Sequence, residues 1–135
     1  VKGGYIMRKK PIHPECSPIP AGPYTPAVIG NGFVFLSGQT PEKQGTDEII
    51  EGDIKVQTRQ VLENIQGILA ASGCTMDNVV KVNAYLVDMN DFGGFNEIYS
   101  QFFSKPYPAR TTVKCDVAGD CLLEVDVIAL LPDND

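Results

Sequence analysis

The sequence predicts an α+β fold of two layers, with helices packed on one face of a sheet. Two stretches, 53–72 and 90–103, repeat apolar residues at helical spacing, and the segments around them are short and rich in β-branched residues. In chain order the elements run strand, strand, helix, strand, helix, strand, strand. The last strand has one wholly apolar face, which requires a covering layer.

The 135 residues form one domain with the composition of a water-soluble globular protein. Residues 1–20 are expected to form an extended N-terminal segment. Within it Val1–Ile6, ahead of Met7, look like a remnant outside the fold, and residues 21–131 form the domain. From 8 to 26 prolines are dense (Pro11, Pro14, Pro18, Pro20, Pro23, Pro26), so the chain should run extended over the surface. Ala27–Gly30 and Phe33–Ser37 are two strands around Asn31-Gly32, which is either a two-residue hairpin loop or part of a slightly longer turn with Gly30. Residues 38–52 are polar and rich in turn residues, hence a loop.

In the first helix, Ile54, Val61, Leu62, Ile65, Ile68 and Leu69 make one apolar stripe, with Asp53 as N-cap and Gly73 as the stop. Val79–Val87 is a strand. Asn90 or Asp91 caps a second helix with an aromatic stripe, Phe92, Phe95, Tyr99, Phe102 and Phe103, best read as core. Pro106 and Pro108 cannot continue that helix, and Thr111–Val117 is the next strand. In Leu122–Leu131, Leu123, Val125, Val127, Ala129 and Leu131 share one face. The other mixes Leu122, Ile128 and Leu130 with Glu124 and Asp126, too apolar for open water and too acidic for a core, so a second copy of the chain should cover it.

The net charge of −6 and a basic cluster confined to Arg8-Lys9-Lys10 weigh against a nucleic-acid partner. No apolar run approaches the roughly 20 residues that span a bilayer, and no signal-peptide pattern opens the chain, so a cytoplasmic protein is expected. Cys16, Cys74, Cys115 and Cys121 lack metal-ligand spacing and the one histidine, His13, lies in the proline-rich lead-in, which weighs against a metal site. A hairpin turn at Ala118-Gly119 would set Cys115 opposite Cys121, where a disulfide is the alternative to packed thiols.

Arg110 is the leading candidate for chemistry. Pro106-Tyr107-Pro108-Ala109 is a stiff lead-in that holds it at a strand entrance, where a guanidinium suits two parallel hydrogen bonds to a carboxylate. A surface salt bridge is the competing reading. Glu124, on a half-apolar face, is a candidate general base, against an ion pair with Lys114 or Lys81. Asp126 is its local rival, and without a usable histidine no serine triad is credible.

Six blocks stand in order: Ala21-Gly22-Pro23-Tyr24-Thr25-Pro26-Ala27-Val28, Phe35-Leu36-Ser37-Gly38-Gln39, Gln57-Thr58 with Leu62-Glu63-Asn64-Ile65, Asp91-Phe92 with Asn96-Glu97-Ile98-Tyr99, Pro108-Ala109-Arg110, and Leu123-Glu124-Val125. Together, over about residues 21–130, they resemble the RidA/YjgF family of reactive-intermediate deaminases. The resemblance implies a chorismate-mutase-like fold, a homotrimer with clefts between subunits, and no metal or organic cofactor. It also implies hydrolysis of 2-imino or 2-enamino acids, such as 2-aminoacrylate, to 2-oxo acids and ammonia. By the same analogy Arg110 holds the substrate carboxylate and Glu124 steers water. Tyr24 and Ser37 line the pocket, and Gly38 and the backbone of Thr112 supply hydrogen bonds. Many relatives carry a cysteine where this chain has Thr112, which speaks against a thiol-dependent role. The loop Ala118-Gly119-Asp120 is shorter than the leucine–proline turn of relatives, which points to a different cleft rim. A non-catalytic trimer that binds small carboxylates or acts as a holdase, and an endoribonuclease, are the rival functions.

Overall fold

The computed structural model describes residues 8–132. Val1–Ile6, set aside above, and Met7 lie outside the described residues, as does the C-terminal tail from 133. Strands β1 (Lys10–Ile12), β2 (Ala27–Gly30) and β3 (Phe33–Leu36) precede helix α1 (Ile54–Ala71). Strand β4 (Val79–Leu86), helix α2 (Phe92–Phe102), β5 (Ala109–Lys114) and β6 (Leu123–Leu130) follow. They build one six-stranded sheet in the order β1-β2-β3-β6-β4-β5. The β4–β5 pair is parallel, with α2 as its crossover, and the remaining pairs are antiparallel. The α+β class and the two helices expected from the sequence are both present.

Local chemistry accounts for the elements. Gly30 pairs with Phe33, so the hairpin loop is the two-residue Asn31-Gly32. Their φ values of 52° and 83° are the left-handed pair that such a loop needs. At α1 the Asp53 carboxylate accepts from the Val56 N–H (3.0 Å) and Gly73 (φ 83°) ends the helix. The predicted stripe, Ile54, Val61, Leu62, Ile65, Ile68 and Leu69, is buried. It packs on Leu123, Val125, Val127 and Ala129 of β6 and Val82 and Ala84 of β4, giving the core between sheet and helices.

Some expectations are corrected. The lead-in contains β1, which the proline density concealed; Pro11 sits at the sheet's edge, where its missing N–H costs no ladder bond. A 3-10 turn (Met89–Asp91) precedes α2; Asp91 is the N-cap, one of the two residues expected there, but its side chain makes no capping hydrogen bond. Strand β5 runs Ala109–Lys114 and not Thr111–Val117, which keeps Arg110 at the strand entrance as its second residue. Most importantly, Ala118-Gly119 is not a hairpin turn. β4 lies between β5 and β6, so Cys115 and Cys121 do not face each other, and all four cysteines are free thiols. A strand arriving from a helical crossover joins in parallel beside β4 and takes the edge; the chain then has to pass beyond β4 to reach β6.

Among the described residues, no helix covers the far face of the sheet. That face leaves Phe35, Val113 and Leu130 each about two-fifths exposed (45%, 40% and 42%), beside half-buried Glu124, Asp126 and Ile128.

Candidate active site

Strand alternation sorts the candidate residues into two groups. Arg110 is in register with Val82, and Val82 with Val127, both buried under the helices. Glu124 is in register with Tyr85 on the open face. Within one chain the two candidates therefore point to opposite faces of the sheet and do not meet.

Glu124 gathers Tyr24, Ser37 and Gly38 around it, in a cavity of about 520 Å³ that Glu42 and Asp47 also line. Reciprocal backbone hydrogen bonds between Gln39 and Val125 (2.8 and 3.0 Å) clamp the chain after β3 against β6, which sets Gly38 beside Glu124. A Cβ on Gly38 would collide with the Glu124 carboxylate, with Cδ at 2.8 Å, so only glycine leaves room for that group. The Ser37 hydroxyl donates to the Thr25 carbonyl (2.6 Å), which leaves its lone pairs for the cavity. The Tyr24 hydroxyl accepts from the Ala21 N–H (3.1 Å), and the half-exposed ring forms the cavity's outer wall.

The two carboxylates on this face differ in their partners. Asp126 accepts from Asn83 Nδ2 and from the Tyr85 hydroxyl, both at 2.9 Å. That bond is the leading reason the Tyr85 phenol is pushed up to about 12. Glu124 has no such partner among the described residues. Lys81 donates to Thr111 Oγ1 (2.9 Å) and Lys114 is in register with Leu86, so neither neutralises Glu124. Burial first, then the charges of Asp126 and Glu42, raises the Glu124 carboxyl above its ordinary value. The arrangement leaves Glu124, and not its rival, available to exchange a proton.

Arg110 and Thr112 share the other face of edge strand β5. The guanidinium lies over the α2 rings and lines a cavity of about 360 Å³ with Asn96, Tyr99, Ser100, Tyr107 and Pro108. Burial raises the Tyr99 phenol, with the Arg110 charge opposing. Thr112 Oγ1 is buried without a hydrogen-bond partner among the described residues. Among those residues, too, no group of three or more His, Cys, Asp or Glu side chains gathers to hold a metal.

Sequence reasoning missed the part of Glu42 and of the α2 polar edge. Glu42 sits in the 38–52 loop, where no periodicity marks it. Its carbonyl accepts from Asn64 Nδ2 of α1 (2.8 Å), and its carboxylate accepts from Thr40 Oγ1 (2.7 and 2.8 Å). Asn96 and Ser100 border the aromatic stripe at helical spacing, a polar margin on a buried face that could have marked them.

The model of the Endoribonuclease L-PSP family matches residues 15–131. A RutC family protein of Pyrococcus horikoshii is 47% identical over 122 residues, 90% of this chain and 97% of its own. A protein of Dermatophagoides farinae named 2-iminobutanoate/2-iminopropanoate deaminase is 35% identical over 124 residues, 91% of this chain and 97% of its own. Among solved structures, Escherichia coli TdcF with bound serine superposes with a TM-score of 0.85 at 35% identity, covering 91% of this chain and 99% of that one. No helix among the described residues is long and apolar enough to cross a membrane. The match along nearly the whole chain, on the same two-layer fold, means that this protein belongs to the Endoribonuclease L-PSP family, the RidA/YjgF family that its sequence blocks resemble.

Proposed function

We propose that the protein hydrolyses reactive 2-imino and 2-enamino acids, such as 2-aminoacrylate, to 2-oxo acids and ammonia, in clefts between the subunits of a homotrimer. The observation that carries this reading is the division of the site. Arg110 and Glu124, each without a charged partner among the described residues, sit on opposite faces of one sheet and line separate cavities. Each is half of a site, and the exposed apolar residues on Glu124's face of the sheet call for a second copy to cover them. The name of the mite relative and the serine bound to TdcF, a small amino acid with a carboxylate, support the same substrate class.

In this reading the Arg110 fork grips the substrate carboxylate. 2-Aminoacrylate first tautomerises to its 2-imino acid; Glu124 of the adjoining copy then takes a proton from the water that adds to the C=N carbon and passes it to the nitrogen. The carbinolamine's C–N bond breaks as its hydroxyl proton also goes to nitrogen, releasing ammonia and leaving the 2-oxo acid. An imine carbon is already electrophilic, so alignment of water and substrate is the main task, and each ~1.4 kcal/mol it removes from the barrier is about tenfold in rate. Tyr24, Ser37 and Gly38 shape the water side, and the Thr112 backbone on edge strand β5 offers a hydrogen bond on the substrate side. No step calls for a cofactor. We place the reaction in the cytoplasm, a reducing compartment in which unbridged cysteines stay as thiols.

The test is release of ammonia and pyruvate from 2-aminoacrylate generated enzymatically in the assay. Arg110→Ala should lose about 30- to several-thousandfold, the ~2–5 kcal/mol of an abandoned charge partner, and Glu124→Gln should keep carboxylate binding but lose turnover. Unfolded together and reassembled, the two inactive chains should recover activity at about one site in four, because a site that draws one residue from each neighbour escapes both lesions. No recovery, with trimers re-formed, would sink the shared site. A parental protein that binds pyruvate without releasing ammonia would leave the binding-protein reading, and RNA cleavage that persists through repurification would favour the ribonuclease.

A further inference from the structure

Arg110 rests its charge on an aromatic floor in place of a counter-ion. Its Cζ lies 4.6 Å from the Tyr99 ring centroid, 5.4 Å from that of Phe95 and 5.6 Å from that of Phe92. The one ion pair among the described residues joins Lys55 to Glu97, away from this site. The three rings project from a single face of α2, at intervals of three and four residues. They are held by one another and by the core: Phe95 is fully buried, Tyr99 is 7% exposed, and Tyr99 packs on Phe95 (5.5 Å) and Phe103 (4.5 Å).

The distinction matters for a residue that must receive an anion. A carboxylate beside Arg110 would orient it but also fill its N–H fork, and an incoming substrate would have to displace that partner. Aromatic faces attract a guanidinium through the ring quadrupole and leave every N–H in the guanidinium plane unclaimed.

We infer that the α2 rings, and Tyr99 above all, are positioning residues: they hold the Arg110 guanidinium flat so that its fork stays open towards the cavity for a carboxylate. This rests on the reading of Arg110 as the carboxylate holder and assigns the residues that keep it ready. Tyr99 supplies the nearest ring and lines the cavity. Its hydroxyl makes no hydrogen bond of ordinary geometry among the described residues, although Arg110 stands within reach of it, so packing against Phe95 and Phe103 is what chiefly fixes the ring. The ring is therefore what the site uses.

The experiment titrates pyruvate into the parental protein, Tyr99→Phe, Tyr99→Leu and Phe92→Leu, measures KM and kcat for 2-aminoacrylate, and follows the Arg110 Nε–H resonance. Tyr99→Leu should weaken pyruvate binding about tenfold, in line with loss of a desolvated cation–π contact. It should raise KM more than it lowers kcat and move the resonance towards that of free arginine. Tyr99→Phe, which keeps the ring, should retain most of the affinity. Phe92→Leu removes a less buried ring, guards against a Tyr99→Leu chain that does not fold, and should weaken binding about threefold. Parental affinity in a folded Tyr99→Leu or Phe92→Leu overturns the inference, and so does a loss in Tyr99→Phe as large as in Tyr99→Leu, which would make the hydroxyl the working group. If the parental protein neither binds pyruvate nor releases ammonia, the functional reading itself fails. The platform is then judged by the resonance, and an unshifted Arg110 Nε–H in the parental protein overturns it.

Discussion

Glu124 occupies the space that Gly38 leaves by lacking a side chain. The Cβ of an alanine there would meet the carboxylate end of Glu124. The group that must give way is the far end of a flexible side chain and not backbone. Gly38→Ala should therefore cost little stability, under about 1 kcal/mol against the 1–3 typical of overpacked cores. Activity should fall about a hundredfold, because a displacement of about an ångström misaligns the general base. Thermal unfolding and 2-aminoacrylate turnover, measured on the same preparation, separate the two effects. A fully active Gly38→Ala would show that the carboxylate does not work from this position.

The raised Glu124 carboxyl gives a signed prediction in pH. The folded protein binds this proton more tightly than the unfolded chain does. Its contribution to stability is thus complete below the unfolded value, about 4.3, and is lost as pH rises through the raised folded value. Glu124→Gln carries no charge to desolvate, so it should be more stable than the parental protein near neutrality and lose that advantage towards about pH 4. The parental kcat/KM should fall as pH drops through the folded value, as the base is protonated. Melting temperatures and rate profiles across this range check both. An advantage for Glu124→Gln that grew on acidification would contradict the assignment.

Asp126 is expected to matter for stability first. Asp126→Ala leaves Asn83 Nδ2 and the Tyr85 hydroxyl without their acceptor, at about 1–3 kcal/mol for each donor left dry. It also removes a charge that raises Glu124, so the acid limb of the rate profile should move to lower pH. The Tyr85 phenol should titrate below its present value of about 12. Denaturant unfolding and ultraviolet titration read the two consequences. An unchanged unfolding midpoint would mean that water replaces the carboxylate.

Phe35 tests the open face. Phe35→Asp puts a charge on the open face of the sheet beside Ile128 and Leu130, where a subunit contact would bury it unpaired at about 3–5 kcal/mol. Sedimentation should show monomers or a shifted assembly equilibrium, with activity falling at least tenfold while the monomer's circular dichroism is kept. An intact, active trimer would place the contact elsewhere.

Much of this was legible in the chain because it follows from local rules. Asp53, Gly73 and the stripe from Ile54 to Leu69 specify α1 through capping and a 3.6-residue period, and Asn31-Gly32 admits the left-handed pair that closes β2 on β3. The alternation in Leu123–Leu131 announced a strand with one covered face and marked Glu124 as a carboxylate in mixed company. The α2 rings were rightly read as core, yet their second role under Arg110 was invisible, because nothing in a helical period says which strand will lay a cation across it.

What the sequence by itself determined, then, is the set of elements, their buried faces and the residues able to do chemistry, since period, caps and turn residues act over a few neighbours. Only the tertiary structure decided strand order. The α2 crossover set β5 parallel to β4 at the sheet's edge, parted Cys115 from Cys121, and turned Arg110 to one face and Glu124 to the other. Strand order is fixed by which long-range pairing buries the most apolar surface, and that sum over the whole chain is written in no single stretch of it.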